Sequence, residues 1–165
     1  AIEAARRGAE VVAIDLSPTL VQLARERAPT DLVGAGEGRV HFCSGDMLDP
    51  ALGRFDHVVA MDSIIHYGTD DAVAALSKLA ERTRGSITFT FAPRTPFLAA
   101  MISVGRLFPR GDRAPWLNPM AADRLAAMRA QDPVLRHWAA GRTLRIDSGF
   151  YKSQALQWLA PEQRA

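Results

Sequence analysis

Short apolar runs alternate along this chain with segments in which apolar residues recur every three or four positions. Continuous apolar runs between turn residues are typical of strands buried in a parallel sheet, and the longer spacing is typical of amphipathic helices. Strands and helices that alternate with short connections form crossover units, so the pattern predicts an α/β fold with a mostly parallel sheet. The predicted strands cover residues 10–15, 40–44, 55–61 and 86–91, and the predicted helices cover residues 18–28 and the stretch from a cap at Thr69 to a closing Gly85.

Both ends of the chain add detail to this pattern. Residues 1–7 are typical of the second half of a helix that ends at Gly8, so we expect a fragment lacking its N-terminal part, with one domain over residues 1–165. After the fourth strand, we predict an apolar helix to about residue 108, a loop over residues 109–119 and a helix over residues 121–131. Residues 143–146 and 150–159 alternate in polarity, which predicts a C-terminal antiparallel hairpin.

Composition limits the class of protein. With 48% apolar and 23% charged residues, the chain can bury the core of a globular domain, which excludes a disordered or fibrous protein. Its single cysteine, Cys43, excludes a disulfide framework and a zinc cluster and fits a reducing cytoplasm. The longest uncharged apolar stretch, residues 96–105, is shorter than the roughly 20 residues of a membrane-spanning helix. We therefore expect a cytoplasmic location, with membrane contact that is peripheral at most.

Charge is unevenly distributed along the chain. Residues 1–93 carry 9 basic and 13 acidic side chains, a net charge of −4, whereas residues 94–145 carry 9 arginines and 3 aspartates, a net charge of +6. A basic stretch of this kind favours an anionic partner. The stretch lacks the interleaved aromatic residues and the modules of nucleic-acid-binding proteins. We therefore expect no nucleic-acid partner, but an acidic small molecule or an anionic membrane surface.

Acidic residues stand at the predicted carboxyl ends of three strands, at Asp15, Asp46 and Asp62. Ligands of open α/β sheets bind beyond these ends. The carboxylate of Asp15 can accept hydrogen bonds from both hydroxyls of a ribose, that of Asp46 can accept one from an exocyclic amine, and Met47 can pack on an adenine ring. The competing interpretation of Asp15 is structural, as a helix-flanking acid before the predicted helix cap Ser17.

Three segments resemble motifs of the class I S-adenosylmethionine-dependent methyltransferases. Residues 8–17 resemble that family's second strand with its ribose-binding acid, Gly45-Asp46-Met47 its adenine-binding corner, and residues 55–63 its fourth-strand motif. The resemblance implies a Rossmann-like sheet and S-adenosylmethionine as the methyl donor. It also implies that the family's first strand and glycine-rich loop would precede Ala1 and are missing from this chain. The cofactor-binding residues that it implies are Asp15, Leu16, Asp46, Met47, Met61 and Asp62.

A narrower resemblance rests on residues 61–67, 90–96, 105–115 and 148–156. Together these segments resemble the magnesium-protoporphyrin IX O-methyltransferases of (bacterio)chlorophyll biosynthesis. Enzymes of that family methylate a propionate carboxylate of the porphyrin and give the monomethyl ester. The resemblance implies Mg-protoporphyrin IX as the substrate, with the magnesium belonging to the substrate and no metal bound by the protein. It further implies magnesium chelatase as a candidate partner and peripheral contact with photosynthetic membranes.

The resemblance also implies roles for individual residues. A carboxylate with a pKa near ~4.3 is already ionised at neutral pH, so methyl transfer to it requires alignment rather than an obligatory base. His66 is implied to be catalytic, as a group that orients the propionate or accepts a proton. Arg94 and Arg110 are candidates for pairing with a propionate, and Tyr67 and Tyr151 for further substrate contacts. The competing interpretations are a histidine satisfied by backbone groups, solvated surface arginines and a core tyrosine.

Other functions stay open at this stage. A methyltransferase that acts on a quinone or on another carboxylic acid is the nearest, and product mass with substrate screening separates it from the first interpretation. A dinucleotide-dependent oxidoreductase would share the acid at Asp15 but would need neither Gly45-Asp46 nor Asp62. The chain could also be an inactive fragment or a porphyrin-binding module.

Overall fold

The computed structural model describes residues 1–94, 118–148 and 151–161. The chain forms two compact units, Ala1–Leu52 and Gly53–Ala165, and each is described by itself. The predicted helix to about residue 108 and most of the predicted loop over residues 109–119 lie outside the described residues. One domain over residues 1–165 stays a prediction.

The first unit is a parallel strand pair with helices. Strands β1 and β2 pair in register from Val11 opposite Val40 to Asp15 opposite Ser44. A small core of Ala5, Val21, Val40 and Phe42 is buried in this unit. In chain order its elements are α1 (Ile2–Arg6), β1 (Val11–Asp15), α2 (Pro18–Arg27), a 3₁₀ turn (Thr30–Leu32), β2 (Val40–Ser44) and a 3₁₀ turn (Pro50–Leu52).

Turn and cap residues explain where these elements begin and end. Gly8 follows α1 with a φ of 91°, a left-handed conformation that glycine adopts without strain. Ser17 caps α2, because its side-chain oxygen accepts a hydrogen bond from the Leu20 amide at 3.3 Å. Pro18 occupies the first turn of α2, where its missing N–H costs nothing. The prediction of a serine cap before α2 is confirmed, whereas the C-cap of α1 is Arg7, one residue before the predicted Gly8.

The second unit contains a four-stranded mixed sheet in the order β3-β4-β6-β5. Strands β3 and β4 are parallel, whereas β6 runs antiparallel to both β4 and β5. The α/β fold class is confirmed, and so is the C-terminal hairpin, whose first strand begins earlier than predicted. In chain order the elements are β3 (Phe55–Ala60), a 3₁₀ turn (Ile64–His66), α3 (Thr69–Ala80), β4 (Thr83–Phe91), α4 (Ala122–Gln131), a 3₁₀ turn (Leu135–His137), β5 (Ala139–Ser148) and β6 (Tyr151–Leu159).

Strand β4 lies at the centre of the core of this unit. Its residues Ile87, Phe89 and Phe91 are fully buried, and the ring of Phe89 meets that of Trp158 on β6 edge-on with 4.8 Å between centroids. Helix α3 buries Val73, Leu76 and Leu79, the face predicted from their spacing. Among the described residues, no helix has both the length and the apolarity needed to cross a membrane.

Both predicted boundaries of α3 are wrong. Gly68, not Thr69, is the N-cap of α3, and the helix ends at Ala80 well before Gly85. Gly85 lies inside β4, where a Cβ atom would stand 2.7 Å from the carbonyl oxygen of Asp56 on β3. The glycine is therefore needed for close approach of two backbones, a requirement that the sequence pattern does not distinguish from a helix cap.

Candidate functional site

The acids of the first unit lie at one edge of its sheet. Asp15 is the last residue of β1, and Gly45 and Asp46 directly follow β2. Because the two strands are parallel, their carboxyl ends meet at the same edge. The Gly45 amide donates a hydrogen bond to the Asp15 carbonyl oxygen at 3.0 Å. The structure thus brings together the two acids that the sequence assigns to the nucleoside.

Each of these carboxylates also stabilises its own turn. Asp15 Oδ1 accepts a hydrogen bond from the Ser17 amide at 2.8 Å, and Asp46 Oδ1 accepts one from the Leu48 amide at 2.8 Å. Asp15 therefore has the structural role that the competing interpretation gave it, next to the helix cap Ser17. A carboxylate offers about four acceptor positions, and both groups are exposed, so the turn leaves acceptor capacity for a ligand. Of the neighbouring predicted residues, Leu16 is 76% exposed and Met47 is half-buried.

Asp62 of the second unit is held in an unusual backbone conformation just beyond β3. Its φ is 54°, the left-handed region that residues with a Cβ rarely occupy. The buried hydroxyl of Thr90, on β4, accepts a hydrogen bond from the Asp62 amide at 2.8 Å and donates one to Asp62 Oδ1 at 3.1 Å. Thr90 therefore fixes both the backbone and the carboxylate of Asp62. Met61, the preceding predicted cofactor residue, is exposed.

His66 is the last residue of the 3₁₀ turn that follows. Ile64, the first residue of the turn, is fully buried, and its carbonyl oxygen accepts a hydrogen bond from the Tyr67 amide at 3.1 Å. The His66 side chain is exposed, and Tyr67 is half-buried. The first residue of the turn is therefore buried and apolar, and its last residue, the predicted catalytic His66, has its side chain at the surface.

Residues 118–120, which we call the anchor segment, connect this turn to the exit of β4. Asn118 donates to the turn from its backbone N–H, which reaches the Ile65 carbonyl at 2.9 Å, and from Nδ2, which reaches the His66 carbonyl at 2.8 Å. Met120 exchanges hydrogen bonds with residues 92–94, since its amide donates to the Ala92 carbonyl and its carbonyl accepts from the Arg94 amide, both at 2.9 Å. The backbones of His66 and Arg94 are therefore hydrogen-bonded to the same three residues.

The structure describes Arg94 and the backbone of Tyr151 among the remaining predicted substrate residues. Arg94 is exposed directly after this pairing. Arg110 lies outside the described residues. Tyr151 is the first residue of β6, and its backbone lies opposite Ser148.

Next to Tyr151, Lys152 donates a 2.5 Å hydrogen bond to the Asp147 carboxylate, which lowers the pKa of that carboxyl group.

Sequence reasoning missed Thr90 and the anchor segment. The signal for Thr90 is a hydroxyl between two apolar residues of a strand, but no local pattern identifies Asp62 as its partner.

No trio of histidine, cysteine, aspartate or glutamate side chains able to hold a metal ion occurs within the described ranges.

The comparisons with known proteins agree with this geometry. Residues 1–85 match the model of a methyltransferase domain, and the fold is that of the class I methyltransferases. Residues 60–160, more than half of the chain, match the model described as magnesium-protoporphyrin IX methyltransferase C-terminus. The chain belongs to the magnesium-protoporphyrin IX methyltransferase family, which confirms the resemblance seen in the sequence.

Individual relatives are similar over different shares of the chain. The magnesium-protoporphyrin O-methyltransferase of Rhodobacter capsulatus is 46% identical over 95% of this chain, and the chain spans 65% of that protein's length. A crystal structure of magnesium protoporphyrin IX methyltransferase from Synechocystis PCC 6803 with bound SAH superposes with a TM-score of 0.77 at 26% identity, covering 96% of this chain and 68% of that one. A ubiquinone biosynthesis O-methyltransferase of Xanthomonas oryzae is 33% identical over 65% of this chain and 46% of its own length.

The hold of Thr90 on Asp62 gives the first prediction. Thr90→Val keeps the side-chain shape but leaves the Asp62 amide without its partner, so the free energy of unfolding should fall by about 1–3 kcal/mol. Thr90→Ser, which retains the hydroxyl, should lose less. Thr88→Val, on the same strand, is the matched control and should be close to neutral. Urea denaturation of the whole chain measures all three, and a Thr90→Val variant as stable as the parent would contradict the assignment.

Proposed function

We propose that this chain carries the methyl-transfer site of an S-adenosylmethionine-dependent O-methyltransferase that acts on a propionate carboxylate of Mg-protoporphyrin IX and gives its monomethyl ester. The observation that carries the proposal is the attachment of His66 and Arg94, an imidazole and a cation, to one anchor segment at the carboxyl ends of β3 and β4. The similarity to the Rhodobacter capsulatus magnesium-protoporphyrin O-methyltransferase over nearly the whole chain supports the choice of substrate.

The first unit offers groups that suit the adenosine of the methyl donor. Asp15 and Asp46 present exposed carboxylates at one sheet edge, and each uses one oxygen for its own turn. Asp15 would accept hydrogen bonds from the ribose hydroxyls, and Asp46 would accept one from the adenine amine. S-adenosylmethionine supplies the electrophilic methyl group when it is bound.

The second unit offers groups that suit the acceptor. A propionate is ionised at neutral pH, so its oxygen already holds the electron pair that forms the new bond, and the protein has no proton to remove. What remains is to orient that oxygen in line with the methyl group and to exclude water. In this proposal His66 orients the reacting carboxylate by hydrogen bonding, and Arg94 pairs with the other propionate of the porphyrin.

Charge supports an acidic substrate. Residues 94–145, which begin at Arg94, carry the net charge of +6 noted above, whereas residues 1–93 carry a net charge of −4. A stretch of net positive charge favours binding of a dianionic porphyrin over binding of a neutral acceptor. Contact with magnesium chelatase, a cytoplasmic location and peripheral attachment to photosynthetic membranes remain proposals that follow from the family resemblance.

A second candidate is an O-methyltransferase of quinone biosynthesis, which the similarity to the Xanthomonas oryzae protein supports over 65% of the chain. A phenolic hydroxyl has a pKa of about 10 and must lose its proton to react, so His66 would then have to act as a base. Product mass after incubation with each acceptor class distinguishes the two functions.

The cofactor assignment predicts a loss of affinity at Asp15. Asp15→Asn keeps an oxygen for the Ser17 amide but replaces the other oxygen with a donor, so S-adenosylmethionine binding should weaken by about 1–3 kcal/mol while α2 stays capped. Calorimetry on the protein expressed from its complete reading frame measures the effect. Asp31→Ala, another exposed acid of the first unit, is the control and should bind normally. Unchanged affinity in Asp15→Asn would leave Asp15 with its structural role alone.

The substrate assignment predicts different kinetic effects at two residues. Arg94→Ala should raise the KM for Mg-protoporphyrin IX and leave the affinity for S-adenosylmethionine unchanged, because only the acceptor carries the paired carboxylate. His66→Ala should lower kcat with little change in KM, as expected for a contact made mainly in the transition state.

The control for the Arg94 effect is Arg142→Ala, an exposed arginine of the same basic stretch, on β5. If the stretch serves only to bind anionic lipid, both arginine variants should bind vesicles less and show normal kinetics in detergent. Normal kinetics in both Arg94→Ala and His66→Ala would refute the proposed site.

A further inference from the structure

The turn that carries His66 ends with carbonyl groups that need donors from outside it. A short helix leaves its last carbonyls without partners of its own, and unpaired backbone groups are costly where water is excluded. Within the turn, the Tyr67 amide donates to the Ile64 carbonyl. The next two carbonyls, those of Ile65 and His66, both accept hydrogen bonds from Asn118. One residue, distant in sequence, therefore completes the C-terminal end of the turn.

Asn118 is itself held in place. Two residues further on, Met120 is buried and pairs in parallel with residues 92–94 by two backbone hydrogen bonds. These bonds attach the anchor segment to the chain as it leaves β4, a strand in which seven of the nine residues are buried. The donor groups of Asn118 are thus held in position relative to the sheet, independently of the turn that carries His66.

The other end of the segment between β3 and His66 is fixed separately. Thr90 holds Asp62, and Ile64 is buried between the two attachments. The final peptide of the turn is held at both of its polar atoms, since the Tyr67 N–H donates to the Ile64 carbonyl and the His66 carbonyl oxygen accepts from Asn118 Nδ2. A rotation of that peptide would move the Cα–Cβ bond of His66 and displace the imidazole.

We propose that Asn118 is a positioning residue, which sets the orientation of the His66 imidazole by holding the last two carbonyls of its turn. The inference rests on the proposed function of His66. Asn118 Nδ2 bonds to the backbone carbonyl of His66, so Asn118 acts through that residue rather than on the substrate. A misplacement of about 1 Å at a reacting group can reduce the rate on the order of 100-fold, so a loose turn should be visible in kcat.

The test removes the side-chain donor without changing its shape. Asn118→Asp replaces the amide by a carboxylate that repels the His66 carbonyl and keeps the backbone bond to Ile65. In the protein expressed from its complete reading frame, kcat for methylation of Mg-protoporphyrin IX should fall about 10- to 100-fold, with the KM for both substrates little changed. Asn118→Gln, which restores an amide donor on a longer side chain, should recover part of the loss.

The matched control is Ser77→Ala. It also removes one side-chain hydrogen bond between distant parts of the second unit, that from Ser77 Oγ to Asp132 Oδ1 at 2.9 Å, but it does not involve the turn. Its kcat should be unchanged at temperatures below its melting transition. An equal loss of kcat in Ser77→Ala and Asn118→Asp would mean that the effect is general destabilisation and would overturn the proposal.

A double variant separates this inference from the function of His66. If Asn118 acts through His66, adding Asn118→Asp to His66→Ala should lower kcat no further, whereas independent effects would multiply and would overturn the proposal. Normal kcat in Asn118→Asp beside an impaired His66→Ala would refute the positioning role and leave the proposed function intact. Normal kcat in His66→Ala would refute the role of His66 itself.

A spectroscopic measurement does not depend on residual activity. The NMR resonance of the His66 imidazole should shift in Asn118→Asp and stay at its parent position in Ser77→Ala. An unshifted resonance in Asn118→Asp would show that the imidazole keeps its surroundings without the amide, and that result would overturn the proposal even if the double variant were inactive.

Discussion

The structure of the second unit depends on β4, whose backbone is hydrogen-bonded to a strand on each side. This strand pairs in parallel with β3 and antiparallel with β6, and side chains on both of its faces are buried. Backbone groups buried in this way must be paired, so the strand cannot shift without breaking both ladders. The candidate site is held by Thr90 within β4 and by residues 92–94 at its exit. These residues are fixed in position because the strand is.

The chemistry proposed for the site explains why fixed positions matter more here than activated groups. A propionate that is already ionised needs neither a strong base nor a metal-bound nucleophile from the protein. Most of the available rate enhancement then comes from orientation and from exclusion of water. Hydrogen bonds at both ends of the segment from Asp62 to His66 are the structural counterpart of that requirement.

The sequence predicted those parts of the structure whose signals are local. Apolar runs gave the parallel strands, spacing gave the buried face of α3, and the acids at strand ends gave Asp15, Asp46 and Asp62. Gly85 was misassigned because a glycine needed for close approach of two strands has the same local appearance as a helix cap. Thr90 and Asn118 were missed because their partners lie 28 and 52 positions away, and no periodicity or capping pattern encodes a contact at such a separation.

Amide hydrogen exchange tests most directly whether the candidate site is held by β4. The amides of Asn118, Met120, Arg94 and Asp62 each donate a hydrogen bond within the anchor segment, the exit of β4 or the Thr90 contact. If the account is correct, these four amides should be strongly protected and should exchange together with those inside β4, because they open only when the strand does. Exchange of the four at the rate of an unstructured peptide, while the amides inside β4 remain protected, would contradict it.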